Sequence, residues 1–131
     1  MDVGNPSNFI RIQELFNNNL EQLKKSFSSY SFTDDATRKA MKELYEKANY
    51  VSDPHGAVGY LGCKEYAKEN LEAFCVFLET AHPTKFLDVV EAVIETKVEL
   101  PEQIQSVMNK EKSSIRVKDY DDLKVFLKSN H

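Results

Sequence analysis

Cysteine is scarce. The chain has two, Cys63 and Cys75, and no pair of cysteines at zinc-ligand spacing. That argues against a disulfide scaffold and suggests a reduced, cytoplasmic protein. Long apolar runs are missing too. Nothing approaches the roughly 20 residues of a membrane span, and the mean hydropathy is -0.50. The opening Met1-Asp2-Val3-Gly4-Asn5-Pro6 has neither a basic start nor an apolar stretch, so no signal peptide is expected. Excess positive charge is absent: 17 Lys and Arg stand against 21 Asp and Glu, a net charge of -4. Nucleic acid is therefore not an expected partner, because phosphate binding needs a basic face. There is no internal repeat, no phosphate-loop motif and no nucleophile elbow. His55, His82 and His131 do not fall on one helical face, and no metal site is expected.

What is present is an ordinary globular composition, 41% hydrophobic and 29% charged over 131 residues, enough for one domain with a core. Phe9, Ile12, Phe16, Leu20, Leu23 and Phe27 recur at helical spacing, which predicts a first helix ended by the serine-rich stretch after Ser26. Thr33 with Asp34 and Asp35 predicts the start of a second helix that ends near Asn49. Tyr50-Val51-Ser52 reads as short and extended, and a helix follows across Gly56 to Leu61. Ala73-Phe74-Cys75-Val76-Phe77-Leu78 is continuously apolar and reads as a strand buried on both faces. His82-Pro83 predicts a helix start, with Phe86, Val89, Val90, Val93 and Ile94 as its apolar face. Leu100-Pro101 opens a short helix with Ile104, Val107 and Met108 turned inward. Ser113 to Val117 reads as extended, and Asp119 caps a last helix packed through Tyr120, Leu123, Phe126 and Leu127. The expected fold class is α/β: one compact, mostly helical unit over residues 1–131 with two or three short strands, too few for a good independent sheet.

Two stretches do not read as plain packing. Asp53-Pro54-His55-Gly56-Ala57-Val58-Gly59-Tyr60 places a carboxylate and an imidazole at a strand-to-helix junction, where open α/β sheets bind ligands. Glu79-Thr80-Ala81-His82-Pro83-Thr84-Lys85-Phe86 lies at a similar junction and offers the Thr80 hydroxyl. The residues alone leave open whether these are binding groups or only caps and turns.

The same stretches resemble signatures of the threonine synthase family. Met1 to Phe9 with Arg11 looks like an internal segment of that family. Asp53 to Tyr60 resembles a second signature, and Thr80-Ala81-His82-Pro83-Thr84-Lys85-Phe86 a third. Their order matches, and the tail from Leu100 is similar, so the resemblance covers essentially the whole chain. Gly56 stands where the family often has threonine, so no hydroxyl function is placed there. Thr84 replaces a more usual alanine.

The resemblance implies a fold-type II pyridoxal-phosphate enzyme, with the tryptophan-synthase-β-like fold, that converts O-phosphohomoserine and water to threonine and phosphate. The family's Schiff-base lysine and glycine-rich phosphate loop have no counterpart in this sequence. The chain is thus expected to be a C-terminal fragment, inactive alone, with the N-terminal part of the same chain as its partner and no cofactor bound by itself. The resemblance implies that Thr80 faces the pyridine nitrogen of the cofactor. Asp53, His55, His82 and Lys85 are candidates for the substrate side, and no catalytic residue is expected in the fragment. A competing expectation is a self-contained α/β binding or interaction module without catalysis. Apolar faces that a larger enzyme would cover, those of the first helix above all, are expected to be exposed and to favour self-association.

Overall fold

The computed structural model describes residues 6–129. Met1 to Asn5 of the first signature, and His131, lie outside the described residues. These residues form two compact units that divide between Val98 and Glu99.

In the first unit, α1 covers Phe9–Leu15 and α2 covers Leu20–Ser26. The single apolar stripe is therefore carried by two helices, not one. Asn17 and Asn18 adopt left-handed backbone with φ of 48 and 55°, which asparagine tolerates better than most residues. Asn19 then caps α2 by accepting from the Gln22 N–H at 3.1 Å. The stripe is re-joined across the break by Phe16 and Phe27, whose rings meet edge to face at 5.5 Å. Phe9, Leu20 and Phe27 remain exposed, the outcome expected for this region.

The next helices follow their capping signals. Helix α3, Asp34–Ala48, starts where Thr33 Oγ1 accepts from the Ala36 N–H at 3.2 Å. It stops at Asn49, which is left-handed at φ 51°. Helix α4, Pro54–Glu69, has proline in its first turn behind the Asp53 cap. A 3₁₀ turn, Pro83–Phe86, behind a His82 cap leads into α5, Leu87–Ile94.

The expected α/β class is wrong. Among the described residues there is no strand. Tyr50-Val51-Ser52, Ala73 to Leu78 and Ser113 to Val117 carry no helix, and none of them pairs with another segment. A strand exists only through a ladder to a neighbour, and no two of these segments supply one to each other. Nor is the stretch before Thr80 buried on both faces. From Ala73 to Thr80 burial alternates: Ala73, Cys75, Phe77 and Glu79 are half-buried, whereas Phe74, Val76, Leu78 and Thr80 are exposed. That is the period of an extended chain packed on one side only.

The core lies where α3 packs on both α4 and α5. Ala40 and Met41 of α3 meet Ala57 of α4 and Val90 and Ile94 of α5, with Met41 at 1% and Val90 at 0% exposure. Alanine at positions 40 and 57 lets the backbones approach, and the long Met41 side chain fills the space between. At the rim, Glu43 of α3 accepts from Lys64 of α4 at 2.8 Å, from Lys47 at 3.0 Å and from the Tyr60 hydroxyl at 3.2 Å.

The second unit holds α6, Glu102–Met108, and α7, Tyr120–Ser129. Asp119 caps α7 as expected, accepting from the Asp122 N–H at 3.0 Å. The inward packing expected for Ile104, Val107 and Met108 is not seen: all three are exposed. So are Tyr120, Leu123 and Leu127, and only Phe126 of that set is half-buried. Two helices this short bury too few side chains to enclose a core. Among the described residues no helix is long and apolar enough to cross a membrane.

The Glu43 cluster sets an acid limit. Hydrogen bonds from Lys64 and then Lys47 lower the Glu43 carboxyl from its usual 4.5 to about 2. A depressed carboxyl adds stability above its unfolded value and loses it as the pH falls through the folded one. Urea unfolding followed by circular dichroism should therefore show stability declining from pH 4.5 towards about 2. Lys64→Ala should remove much of that slope and cost about 1 kcal/mol at neutral pH, as suits a partly exposed ion pair.

Candidate functional site

Asp53 is fully buried, at 0% exposure. Its Oδ1 accepts from the N–H groups of His55 at 2.6 Å and Gly56 at 2.9 Å, closing the first turn of α4. Pro54 suits this place because it has no N–H to satisfy. The Asp53 carboxylate is thus spent on structure on one side. On the other, Oδ2 has no partner among the described residues, and neither have Ser52 Oγ beside it and Glu79 Oε2.

Glu79 is the residue that the sequence reading passed over. Its Oε1 accepts from the Asp53 N–H at 3.2 Å and so ties the extended segment to the start of α4. The Glu79 carboxylate occupies the space that a side chain at position 56 would need, and a Cβ on Gly56 would collide with it. A glycine at position 56 therefore has a steric reason. It was the one sequence signal that something approaches this turn closely. Burial, with the charge of Asp53 adding to it, raises the Glu79 carboxyl above its usual 4.5. The same burial and the charges of Glu79 and Asp53 raise the Tyr50 phenol.

Thr80 follows Glu79 and points the other way. It is exposed, and among the described residues its hydroxyl has no hydrogen-bond partner. It lines an open cavity of about 380 Å³ with Tyr50, Glu79, Ala81, His82 and Pro83. His82 Nδ1 lies 2.9 Å from Thr84 Oγ1 and also accepts from the Thr84 N–H at 3.3 Å, so its ring caps the 3₁₀ turn. The hydroxyl of Thr84 is taken up in this cap.

The structure thus brings Thr80 and His82 together. The other candidates lie elsewhere. His55 lines a separate cavity of about 200 Å³ with Phe86, Met41 and Arg38. Its ring stacks at a tilt on Phe86, 5.1 Å between centroids, and its Nδ1 is 3.5 Å from Asp53 Oδ1. Lys85 Nζ sits 5.7 Å from the centroid of the same Phe86 ring, a cation–π contact at an exposed position.

Comparison with known proteins places this arrangement. The family model "Threonine synthase, C-terminal" matches residues 56–127. The chain belongs to the threonine synthase family. It is 39% identical over 129 residues to threonine synthase of Buchnera aphidicola subsp. Schizaphis graminum, covering 97% of this chain and 29% of that protein. To threonine synthase of Buchnera aphidicola subsp. Acyrthosiphon pisum it is 43% identical over 107 residues, covering 81% of this chain and 24% of the relative. The crystal structure of threonine synthase from Escherichia coli superposes with a TM-score of 0.74 at 31% identity, covering 100% of this chain and 30% of that one. The chain therefore corresponds to a C-terminal portion and spans less than a third of the length of these relatives. The threonine synthase match includes Thr80, His82 and Lys85, whereas Asp53 and His55 lie just ahead of it.

The Asp53–Glu79 contact yields a prediction whose sign follows from the raised Glu79 carboxyl. A raised carboxyl lends full stability below its unfolded value and loses it as the pH rises through the folded one. Glu79→Gln keeps the acceptor for the Asp53 N–H and supplies an amide donor beside Asp53. In urea unfolding, the variant should match the parent at pH 4 and exceed it by about 1 kcal/mol at pH 8. A steric test is Gly56→Ala, which should cost about 1–3 kcal/mol by overpacking. Most of that cost should return when Glu79→Ala is added.

Proposed function

We propose that this chain supplies one wall of the cofactor site of a threonine synthase, which converts O-phosphohomoserine and water to threonine and phosphate. The observation that carries this reading is Thr80: an exposed, unpartnered hydroxyl on an open cavity, at the end of a segment whose other face is docked. Family membership supplies the chemistry that such a hydroxyl serves.

The residues present fit one side of a pyridoxal phosphate. A neutral hydroxyl that is not already engaged is the donor set that a pyridine nitrogen accepts from, and Ala81 and Pro83 give the same cavity an apolar lining. When bound, pyridoxal phosphate supplies the electron sink for the reaction. Thr80 orients the ring nitrogen and, unlike a carboxylate, does not hold a proton on it. His82 sits on the same cavity and is the candidate nearest to substrate. Asp53 keeps the turn in place from within, and His55 and Lys85, which both pack against Phe86 away from this cavity, are the more distant candidates for the substrate side. The covalent lysine and the phosphate loop belong to the N-terminal part of the parent chain, so this portion is inactive alone. The parent works in the cytoplasm. Ser52 Oγ, Asp53 Oδ2 and Glu79 Oε2, buried without partners, support a wall that faces further polar groups. The exposed apolar residues of α1 and α2 favour association of the isolated chain.

A chimera tests the reading. This chain replaces the matching portion of the Escherichia coli enzyme, and phosphate release from O-phosphohomoserine is measured. The chimera should be active, and Thr80→Val should lower its kcat by about tenfold, the worth of one hydrogen bond in the site. A kcat unchanged by Thr80→Val removes Thr80 from the cofactor. The isolated chain, mixed with pyridoxal phosphate, should show no stoichiometric protein-bound absorbance. A saturable signal at one site defeats the claim that the lysine lies elsewhere.

A further inference from the structure

The two cysteines of the chain come from different elements, Cys63 from α4 and Cys75 from the extended segment. Their proximity has no part in the cofactor wall. The Cys75 thiol donates to the Cys63 carbonyl oxygen at a sulfur–oxygen distance of 3.8 Å across 12 residues of chain. A sulfur this close to the backbone of the other cysteine puts the two residues in contact, which is the first requirement for a disulfide between them. Both are half-buried, and both line an open cavity of about 480 Å³, shared with Lys25, Phe27, Tyr30 and Tyr66. A small oxidant therefore reaches them from solvent. Gly59 and Gly62 on the same face of α4 leave the cavity without side-chain cover at those points.

We propose that Cys63 and Cys75 form a reversible dithiol–disulfide pair that takes low-molecular-weight disulfides, such as glutathione disulfide, as its oxidant. One protein thiolate attacks a sulfur of the small disulfide, forming a mixed disulfide and releasing one glutathione thiolate. The second protein sulfur then attacks the first, forming the Cys63–Cys75 bond, breaking the mixed one and releasing the second glutathione. The two protein thiols are oxidised by two electrons, glutathione disulfide is reduced, and the two thiol protons leave on two glutathione thiols. Burial, with the neighbouring Cys75 thiol adding to it, raises the Cys63 thiol. A raised thiol is more fully protonated at neutral pH, so its attack on the small disulfide is slowed. Closure ties the segment leading to Thr80 to α4 at a second point, beside the Glu79 contact.

The 131-residue chain, equilibrated in glutathione redox buffers and acid-quenched, reads this out by mass spectrometry. A single species about 2 Da lighter is expected, without a retained glutathione. Dithiothreitol should reverse it, and a proteolytic peptide pair should link Cys63 to Cys75. The equilibrium constant should be at least about tenfold larger for the folded chain than for the same chain in urea, because the fold supplies the proximity. Cys63→Ser and Cys75→Ser should each stop at the mixed disulfide. Equal constants in buffer and in urea would overturn the proposal. So would persistent glutathione adducts on the parent chain, or disulfide-linked dimers as the main product. The folded-versus-urea comparison needs neither variant to fold.

Discussion

The first unit turns on a carboxylate taken wholly out of water. Burying Asp53 is unfavourable unless its oxygens find donors, and two backbone N–H groups at the start of α4 supply them to Oδ1. The cap then fixes more than a helix end. It holds the Asp53 N–H towards Glu79, and that hydrogen bond is the link that fastens the extended segment at its Thr80 end. Gly56 makes the approach possible by leaving out a side chain. Helix start, segment and exposed hydroxyl therefore form one arrangement, and the packing of α4 on α3, with Ala57 in the core, anchors it.

This arrangement also stores an electrostatic conflict. Two carboxyl groups approach one another in a place with little water, and Tyr50 stands beside both. Burial dominates the upward shifts of Glu79 and Tyr50, and neighbouring negative charge adds to each. Contrast Glu43, one helix away, where two lysines pull a carboxyl down. The same residue type is pushed in opposite directions because one site supplies cations and the other supplies only a second acid. Cation-rich contacts sit at the helix rim, where they hold α3 to α4. The uncompensated acids sit beside the candidate site.

Local signals were legible in the sequence. Thr33, Asn49, Asp53-Pro54 and His82-Pro83 each announce a helix boundary through their own backbone chemistry, and the structure places boundaries there. Asn17 and Asn18 were less legible, because apolar spacing suggested continuity and outweighed the residues able to turn left-handed. The expected strands are absent among the described residues for a non-local reason. An apolar run such as Ala73 to Leu78 states a preference for extended backbone, but a ladder needs a partner that composition cannot supply. The candidate site was half legible. Thr80 and His82 do share a cavity. His55 was drawn to Phe86 by packing. Glu79 escaped notice because its partner is a backbone N–H 26 residues away.

The alternation along the extended segment decides where Thr80 can point. Phe77 is locked between two rings, 6.2 Å from Tyr50 and 5.8 Å from Tyr60 by centroid. Cys75 is held against Cys63 on one side of it and Glu79 against Asp53 on the other. Three consecutive odd-numbered residues are therefore fixed to the packed face by three different kinds of contact: a sulfur, an aromatic ring and a carboxylate. A slip of one residue would turn all three outward and bring Phe74, Val76, Leu78 and Thr80 in. No single mutation of the set reverses that register, because the other two contacts still select it. Thr80 thus owes its outward position less to anything it touches than to the three residues before it that cannot turn over.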